Sequence, residues 1–214
     1  MKSKNKILQI SCDGGAATGK STGAKMISEK YNLKFLSSGL LYRYAGYLLL
    51  KNKPKNKISF LNKKFKNLNY KRLEKINLQT QNISEFSAKI AKVDTVRKIL
   101  KKYQLSFIKR NRKCCIEGRD ISTKILPKAK IKFFFICNLN IASIRRFKEL
   151  KKFNPSLKLS DVKKALRTRN IIDINRKNSP LLKHADSVVI NTGKLSKQAM
   201  LKKMSKYIDN SISD

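Results

Sequence analysis

The chain has 214 residues, 41% of them hydrophobic, which is enough to bury the core of one α/β domain with inserted pieces. No apolar run reaches membrane-spanning length, and the run after the basic segment at residues 1–6 is too short for a signal peptide, so we expect a cytoplasmic protein. The four cysteines form no C-x-x-C pair and there is one histidine, which argues against a zinc site and a Ser-His-Asp triad.

Positive charge dominates the composition, with 51 Lys and Arg against 13 Asp and Glu and a net charge of +38. Such charge usually points to nucleic acid. Only 11 of the basic residues are arginine, however, and the lysines are spread along a chain rich in Asn and Ile, the mixture that A/T-rich codons produce. We therefore interpret the charge as compositional drift and expect at most weak, non-specific, salt-sensitive binding of nucleic acid.

The first element in chain order is an apolar run at residues 7–11, typical of a buried strand, and a helical pattern opens at Ser21. Between them lies a full G-x-x-x-x-G-K-[ST] sequence, the loop that wraps the phosphates of ATP or GTP. Gly14 and Gly19 allow the backbone N–H groups to face an anion at the helix N-terminus. We expect Lys20 to reach the β- and γ-phosphates and the Ser21 hydroxyl to bind Mg²⁺. The predicted nucleotide-binding residues are Gly14, Gly15, Ala16, Ala17, Thr18, Gly19, Lys20, Ser21 and Thr22.

Short apolar runs further along the chain predict strands that alternate with helices. The strands are predicted at residues 33–36, 114–117, 131–137 and 187–191, and the helical patterns at 83–110, 141–153 and 161–170. This alternation predicts an α/β fold with a parallel, doubly wound sheet of roughly five strands flanked by helices, the P-loop NTPase fold. The polar, Lys- and Asn-rich stretch at 51–69 is typical of a surface insertion.

The few arginines mostly follow a predicted strand or lie on the two helices before the last strand. A planar guanidinium binds phosphate oxygens in bidentate fashion, whereas lysine suffices for solubility. Arg167 fits a helix-surface ion pair equally well. The arginines at informative places are Arg43, Arg97, Arg119, Arg145, Arg146, Arg167, Arg169 and Arg176.

Four sequence blocks occur in order: ISCDGGAATGKST at residues 10–22, LSSGLLYR at 36–43, EGRDIST at 117–123 and RNIIDINRKNSPL at 169–181. Together they resemble the bacterial cytidylate kinases, P-loop nucleoside monophosphate kinases that transfer the γ-phosphate of ATP to CMP or dCMP in pyrimidine nucleotide metabolism. The resemblance implies one P-loop kinase domain over residues 1–214, with its core at 1–50 and 111–214, an acceptor-binding insertion at about 51–110 and an arginine-bearing lid at about 145–176.

The resemblance also implies roles for individual residues. ATP with Mg²⁺ is the donor, and the catalytic charges are Lys20, Arg145, Arg146, Arg169 and Arg176. The acceptor nucleotide is assigned to Ser38, Arg43, Arg97, Arg119, Asp120, Arg169, Asp173 and Arg176. Their spacing places Arg169, Asp173 and Arg176 on one helical face. Asp120 and Arg97 together offer the acceptor and donor that cytosine needs.

The blocks depart from the family pattern at several positions. Residues 52–82 do not align with it, and Ala88, beside Ser87, stands where the pattern has serine. The remaining departures are Gly15 for Pro, Ser37 for Asp, Glu117 for Asp, Ser122 for Gly and Asn170 for Asp.

Two other functions are compatible with the sequence. One is a P-loop kinase for another small phosphorylated acceptor, and the other is a basic RNA-binding P-loop protein without kinase activity. A GTPase is disfavoured because no N-K-x-D sequence is present. A nucleoside monophosphate is already largely a dianion at neutral pH, so the predicted kinase needs positioning and positive charge rather than a general base. We expect a monomer.

Overall fold

The computed structural model describes residues 7–213, apart from the side chain of Glu74. The basic segment at residues 1–6 lies outside the described residues. The chain divides into two compact units. The core unit runs to Ser37 and resumes at Ile108, and the inserted unit is Ser38–Phe107. The inserted unit therefore begins well before residue 51, where the sequence places the start of the insertion.

The core unit contains a five-stranded sheet in which every strand pair is parallel. Its strands are β1 (Leu8–Gly14), β2 (Lys34–Ser37), β3 (Lys113–Gly118), β4 (Ile131–Ile136) and β5 (Val188–Asn191), in the order β2-β3-β1-β4-β5. All five predicted strands and the parallel α/β fold are confirmed. The register aligns Asp13 with Gly118 and Ser37 with Glu117, so the carboxyl ends of neighbouring strands lie together at one edge.

The described residues also form α-helices, divided between the two units. In chain order they are α1 (Lys20–Lys30), α2 (Ser38–Asn52), α3 (Lys57–Lys66), α4 (Gln81–Ile90), α5 (Asp94–Arg110), α6 (Leu139–Lys151), α7 (Leu159–Asn175) and α8 (Lys197–Ser213). Short 3-10 helices lie at Tyr70–Lys75 and Thr192–Lys194, and a single π-helical turn lies at Ile121–Ile125. None of the helices described between residues 7 and 213 combines the length and the apolar character needed to cross a bilayer.

The core of the core unit is an apolar layer on one sheet face. Ile10, Phe133 and Phe135 contribute to it from the strands, Ile27 from α1 and Met204 from α8, and all five are fully buried. Three cysteines, Cys12, Cys114 and Cys115, are buried and Cys137 is partly buried, all with free thiols. Burial raises the pKa of the Cys114 thiol to about 12, so it is protonated at neutral pH.

The inserted unit is helical. The polar stretch at 51–69 contains α3, which Asn56 caps by accepting a hydrogen bond from Ser59 N (2.9 Å). Leu61 and Phe65 are its two buried side chains. Two buried positions are too few for the spacing of apolar residues to predict a helix. The helical pattern at 83–110 is divided between α4 and α5, with the break just before Asp94.

Candidate active site

The P-loop connects β1 to α1 through backbone conformations that require glycine. Gly14 has φ 155° and Gly19 has φ 79°. A Cβ on Gly14 would lie 2.4 Å from the carbonyl oxygen of Phe135, so the loop cannot accept a side chain there. Ala17 also has positive φ, at 55°. The sequence therefore folds into a tight loop that ends at the N-terminus of α1, the geometry in which backbone N–H groups bind phosphate.

Lys20 is the first residue of α1, and its ammonium group is folded back over the loop. Nζ donates to the carbonyl oxygen of Gly15 (3.2 Å) and lies 3.6 Å from Glu117 Oε2. The Thr18 hydroxyl donates to the same carbonyl oxygen (3.1 Å). The lysine is buried, so its charge acts in a partly desolvated place beside the phosphate-binding loop.

Glu117 is the last residue but one of β3, at the sheet edge where the P-loop begins. Its Oε1 accepts a hydrogen bond from the hydroxyl of Ser37, at the end of β2, while Oε2 faces Lys20. Ser37 and Glu117 are both departures from the family pattern, and they contact each other. The carboxylate of Glu117 thus contacts both the end of β2 and the P-loop lysine.

Oxygen ligands for a cation lie around the same loop. The hydroxyl residues Ser21 and Thr22 are exposed in the first turn of α1. The carboxylate of Glu117 lies 3.6 Å from the ammonium group of Lys20, which precedes Ser21. Within the described part of the chain no group of three or more His, Cys, Asp or Glu side chains could hold a metal ion. A hydroxyl and a single carboxylate fit Mg²⁺, which binds through one or two protein oxygens together with substrate phosphates and water.

A cluster of arginines surrounds one buried carboxylate, Asp173 on α7. Arg119 Nε donates to Oδ2 (2.8 Å), Arg169 Nε lies 3.6 Å from Oδ2, and Arg176 Nη1 lies 3.4 Å from Oδ1. Burial alone would raise the pKa of Asp173, but the three guanidinium groups outweigh burial and hold it below its ordinary value. Burial also lowers the pKa of Arg169. With Asp120 counted beside Arg176, the three arginines exceed the two carboxylates by one positive charge, so the cluster suits a bound anion.

The structure corrects the predicted helical position of Arg176. Helix α7 ends at Asn175, and Arg176 follows it in an extended conformation, with φ −67° and ψ 136°. Its Nε donates to the carbonyl oxygen of Ser179, a residue with φ 54° that precedes Pro180. The helix ends because the chain turns back there, and Leu181 N donates to the carbonyl oxygen of Asp173 (2.7 Å). Arg176 nevertheless meets Asp173, as the spacing predicted, but from a turn.

Asp120 is buried two residues after the end of β3, beside this cluster. Its Oδ1 lies 4.0 Å from Arg176 Nη2. The segment that follows it is fixed by Asp13, a fully buried carboxylate at the end of β1 that sequence reasoning did not single out. An acidic residue closing an apolar strand directly before the glycine loop was the available signal.

The two predicted lid arginines on α6 have different surroundings. Arg145 donates from Nη1 to Thr192 Oγ1 (2.9 Å) and from Nη2 to the Thr192 carbonyl oxygen (2.8 Å), and Thr192 Oγ1 donates to the carbonyl oxygen of Thr18 (2.8 Å). Arg145 is therefore linked through one side chain to the P-loop. Arg146 pairs with the exposed Glu149 on the same helix (3.0 Å).

Asn170 on α7 also reaches the P-loop. Its Oδ1 accepts a hydrogen bond from the backbone N–H of Ala16 (3.1 Å). A Cβ on Gly15 would lie 3.1 Å from the same oxygen, so a larger residue at position 15 would crowd this contact. Gly15 and Asn170 are again two departures from the family pattern that meet in space.

Three predicted acceptor residues belong to the inserted unit and are described within it. Ser38 Oγ accepts from Gln104 Nε2 (2.7 Å), and Arg43 Nη1 donates to Gln79 Oε1 (2.8 Å). Arg97 Nη1 donates to the carbonyl oxygen of Ala91 (3.1 Å), and its guanidinium lies 5.6 Å from the centre of the Tyr42 ring. Their part in acceptor binding stays a prediction.

The parallel sheet, the glycine loop with its lysine and the arginine cluster around Asp173 are the features of a P-loop kinase. The cytidylate kinase family model matches residues 10–210. A cytidylate kinase of Bartonella tribocorum is 34% identical over 205 residues, covering 94% of each chain, and one of Rickettsia conorii is 31% identical over 207 residues, covering 95% of this chain and 92% of its own. The chain belongs to the cytidylate kinase family.

Solved structures with a similar fold are more distant in sequence. The shikimate kinase of Bacteroides thetaiotaomicron superposes with a TM-score of 0.54 at 10% identity, over 94% of this chain and 98% of its own. This likeness concerns the fold alone, and it agrees with the predicted P-loop architecture.

Proposed function

We propose that the protein transfers the γ-phosphate of ATP to CMP and dCMP, forming CDP and dCDP. Membership of the cytidylate kinase family supports this activity. The observation that carries it is the presence, within one compact unit, of a complete P-loop and a separate arginine cluster, which together provide places for a donor and an acceptor phosphate. Neither a different acceptor class nor an RNA-binding role has an observation in its favour.

The donor phosphates bind at the loop between Gly14 and Ser21. Backbone N–H groups and the N-terminus of α1 contact the phosphate oxygens, and Lys20 exchanges the carbonyl oxygen of Gly15 for the β- and γ-phosphates. Glu117 holds the lysine on the side facing the sheet edge. The preorganised positive charge stabilises the transferring phosphoryl group without needing a proton transfer, because the acceptor phosphate is already a dianion.

The acceptor phosphate binds to the arginine cluster. Arg119, Arg169 and Arg176 are held in position by Asp173, and their excess positive charge is neutralised by the dianion. A carboxylate offers about four lone-pair positions, and the hydrogen bonds from Arg119 and Arg176 use about two of them, which leaves Asp173 able to accept from a ribose hydroxyl. Asp120 then accepts a hydrogen bond from the exocyclic amine of cytosine.

Mg²⁺ is a further part of the proposal. The Ser21 hydroxyl, with Glu117 acting through water, would hold the cation, which neutralises phosphate charge when it is bound. We also propose a cytoplasmic, monomeric enzyme whose nucleic-acid binding is weak.

The test is a steady-state assay of the full chain with ATP and Mg²⁺ against CMP, dCMP, UMP, AMP and GMP. We expect CMP and dCMP to be the preferred acceptors. A matched pair of variants identifies the P-loop as the source of the activity: Lys20→Ala removes the phosphate-binding charge, and Lys25→Ala removes an exposed charge from the same helix. Preference for another acceptor would refute the proposed substrate, and equal activity of the two variants would refute the site.

A further inference from the structure

The turn that follows Asp120 receives its N-terminal cap from another strand. The turn, Ile121–Ile125, is a single turn of wide helix, closed by a hydrogen bond from Leu126 N to the carbonyl oxygen of Ile121 (2.7 Å). Asp13 Oδ1 accepts from Ile121 N (2.8 Å), and Asp13 Oδ2 accepts from Ser122 N (2.7 Å) and from Ser122 Oγ (2.6 Å). One buried carboxylate thus satisfies both leading N–H groups and a hydroxyl.

Asp120 stands at the position where an aspartate usually caps its own helix. Its side chain makes no such cap here. Its backbone carbonyl accepts from Lys124 N (2.9 Å), which fixes the main chain, while its carboxylate extends toward Arg176. Because Asp13 supplies the cap, the Asp120 side chain is directed away from its own backbone and toward the arginine cluster.

We propose that Asp13 and Ser122 are positioning residues for recognition of the acceptor base, with Asp13 taking over the capping role so that the Asp120 carboxylate is presented to the nucleotide. This inference rests on the proposed function, in which Asp120 binds the cytosine amine. The same carboxylate lies directly before Gly14, so it also ties the acceptor-reading segment to the start of the P-loop.

The Ser122 hydroxyl is the contact that separates this chain from the family pattern, which has glycine there. The residue is fully buried and its hydroxyl makes a 2.6 Å hydrogen bond to Asp13. Burial raises the pKa of the Asp13 carboxyl, and the hydrogen bonds from Ser122 act against that rise. Loss of the Ser122 hydroxyl removes one of the three hydrogen bonds to Asp13, so it loosens the turn measurably. Removing the hydroxyl leaves both backbone hydrogen bonds in place, which makes Ser122 the milder of the two sites to perturb.

The experiment measures kcat and KM for CMP, UMP and ATP in Asp13→Asn, Ser122→Ala and Ser122→Thr. In Asp13→Asn an amide N–H group faces a backbone N–H donor, and we expect the KM for CMP to rise at least about tenfold, with the KM for ATP within about twofold of wild type. Ser122→Ala should raise the KM for CMP about threefold or more, and Ser122→Thr, which keeps the hydroxyl, should stay closer to wild type. In each variant the ratio of kcat/KM for CMP to that for UMP should fall as the KM for CMP rises.

A double-mutant cycle with Asp120→Asn separates positioning from a general loss of structure. If Asp13 acts through Asp120, then Asp13→Asn lowers the CMP-to-UMP ratio in the wild-type background and leaves it unchanged in the Asp120→Asn background. Additive effects on the ratio, or an equal rise of KM for CMP and ATP, would overturn the proposal. If Asp13→Asn does not fold, the same cycle is run with Ser122→Ala. A wild-type protein that prefers another base refutes the proposed substrate instead. The double-mutant cycle then measures the preference for that base over the other bases.

Discussion

Replacing Asp173 by asparagine tests whether this carboxylate is the counter-charge of the arginine cluster. The change keeps the size of a side chain that is 1% exposed but leaves three guanidinium groups without their shared anion. Removing one partner of a buried ion pair destabilises a protein by about 3–5 kcal/mol. Arg119 and Arg169 keep 15% and 20% of their side-chain surface exposed, so water screens part of the repulsion, and we expect a loss near the lower end, about 3 kcal/mol.

The pH dependence of this loss follows from the lowered pKa of Asp173. A carboxyl whose pKa is lower in the folded state stabilises the fold fully above its unfolded pKa, about 3.9, and that contribution disappears as the pH falls through the folded value. The difference in unfolding free energy between wild type and Asp173→Asn should therefore be constant between about pH 8 and pH 5 and should shrink below about pH 4.

Urea unfolding followed by circular dichroism measures both quantities. Asp161→Asn is the control, because Asp161 lies on the same helix but is exposed, and we expect it to change the unfolding free energy much less. An Asp173→Asn protein within about 1 kcal/mol of wild type at neutral pH would show that the arginines do not need this anion. A difference that widens on acidification would contradict the reasoning about the pKa.

The remaining predictions concern activity and charge. Lys20→Ala should lower kcat on the order of a thousandfold, because it removes a charge that stabilises the transition state, and a variant that keeps more than about a tenth of wild-type turnover would contradict the P-loop assignment. Wild type should prefer CMP to UMP by at least about a hundredfold in kcat/KM, and Asp120→Asn should erode that preference; equal use of both acceptors would refute it. RNA affinity, measured by fluorescence anisotropy, should collapse between low and physiological salt, whereas tight sequence-specific binding at physiological salt would give the +38 charge a function.

Features encoded by neighbouring residues could be predicted from the sequence. The P-loop is a contiguous motif, and the five strands are short, mostly apolar runs, so local patterns suffice for both. Helix α3 was not predicted, because only Leu61 and Phe65 are buried on it. The end of α7 was missed because it depends on the turn at Ser179 rather than on the spacing of the arginines.

The contacts that organise the site could not be predicted, because they join distant parts of the chain. Asp13 binds residues 121 and 122, and Asn170 binds the backbone of Ala16. A polar residue at the end of a strand indicates a place near the site, but only the sheet order determines which segment lies beside it. The partners of such residues therefore require the structure.

The contact between Ser37 and Glu117 has a consequence for how this enzyme can be re-engineered. Both positions hold residues that differ from the family pattern, and Glu117 spans the distance from the Ser37 hydroxyl to Lys20. Shortening Glu117 to aspartate by itself withdraws the carboxylate from one of these partners, and restoring aspartate at position 37 by itself sets two carboxylates against each other. Substitutions at positions 37 and 117 should therefore have non-additive effects, because both act on the carboxylate that faces Lys20.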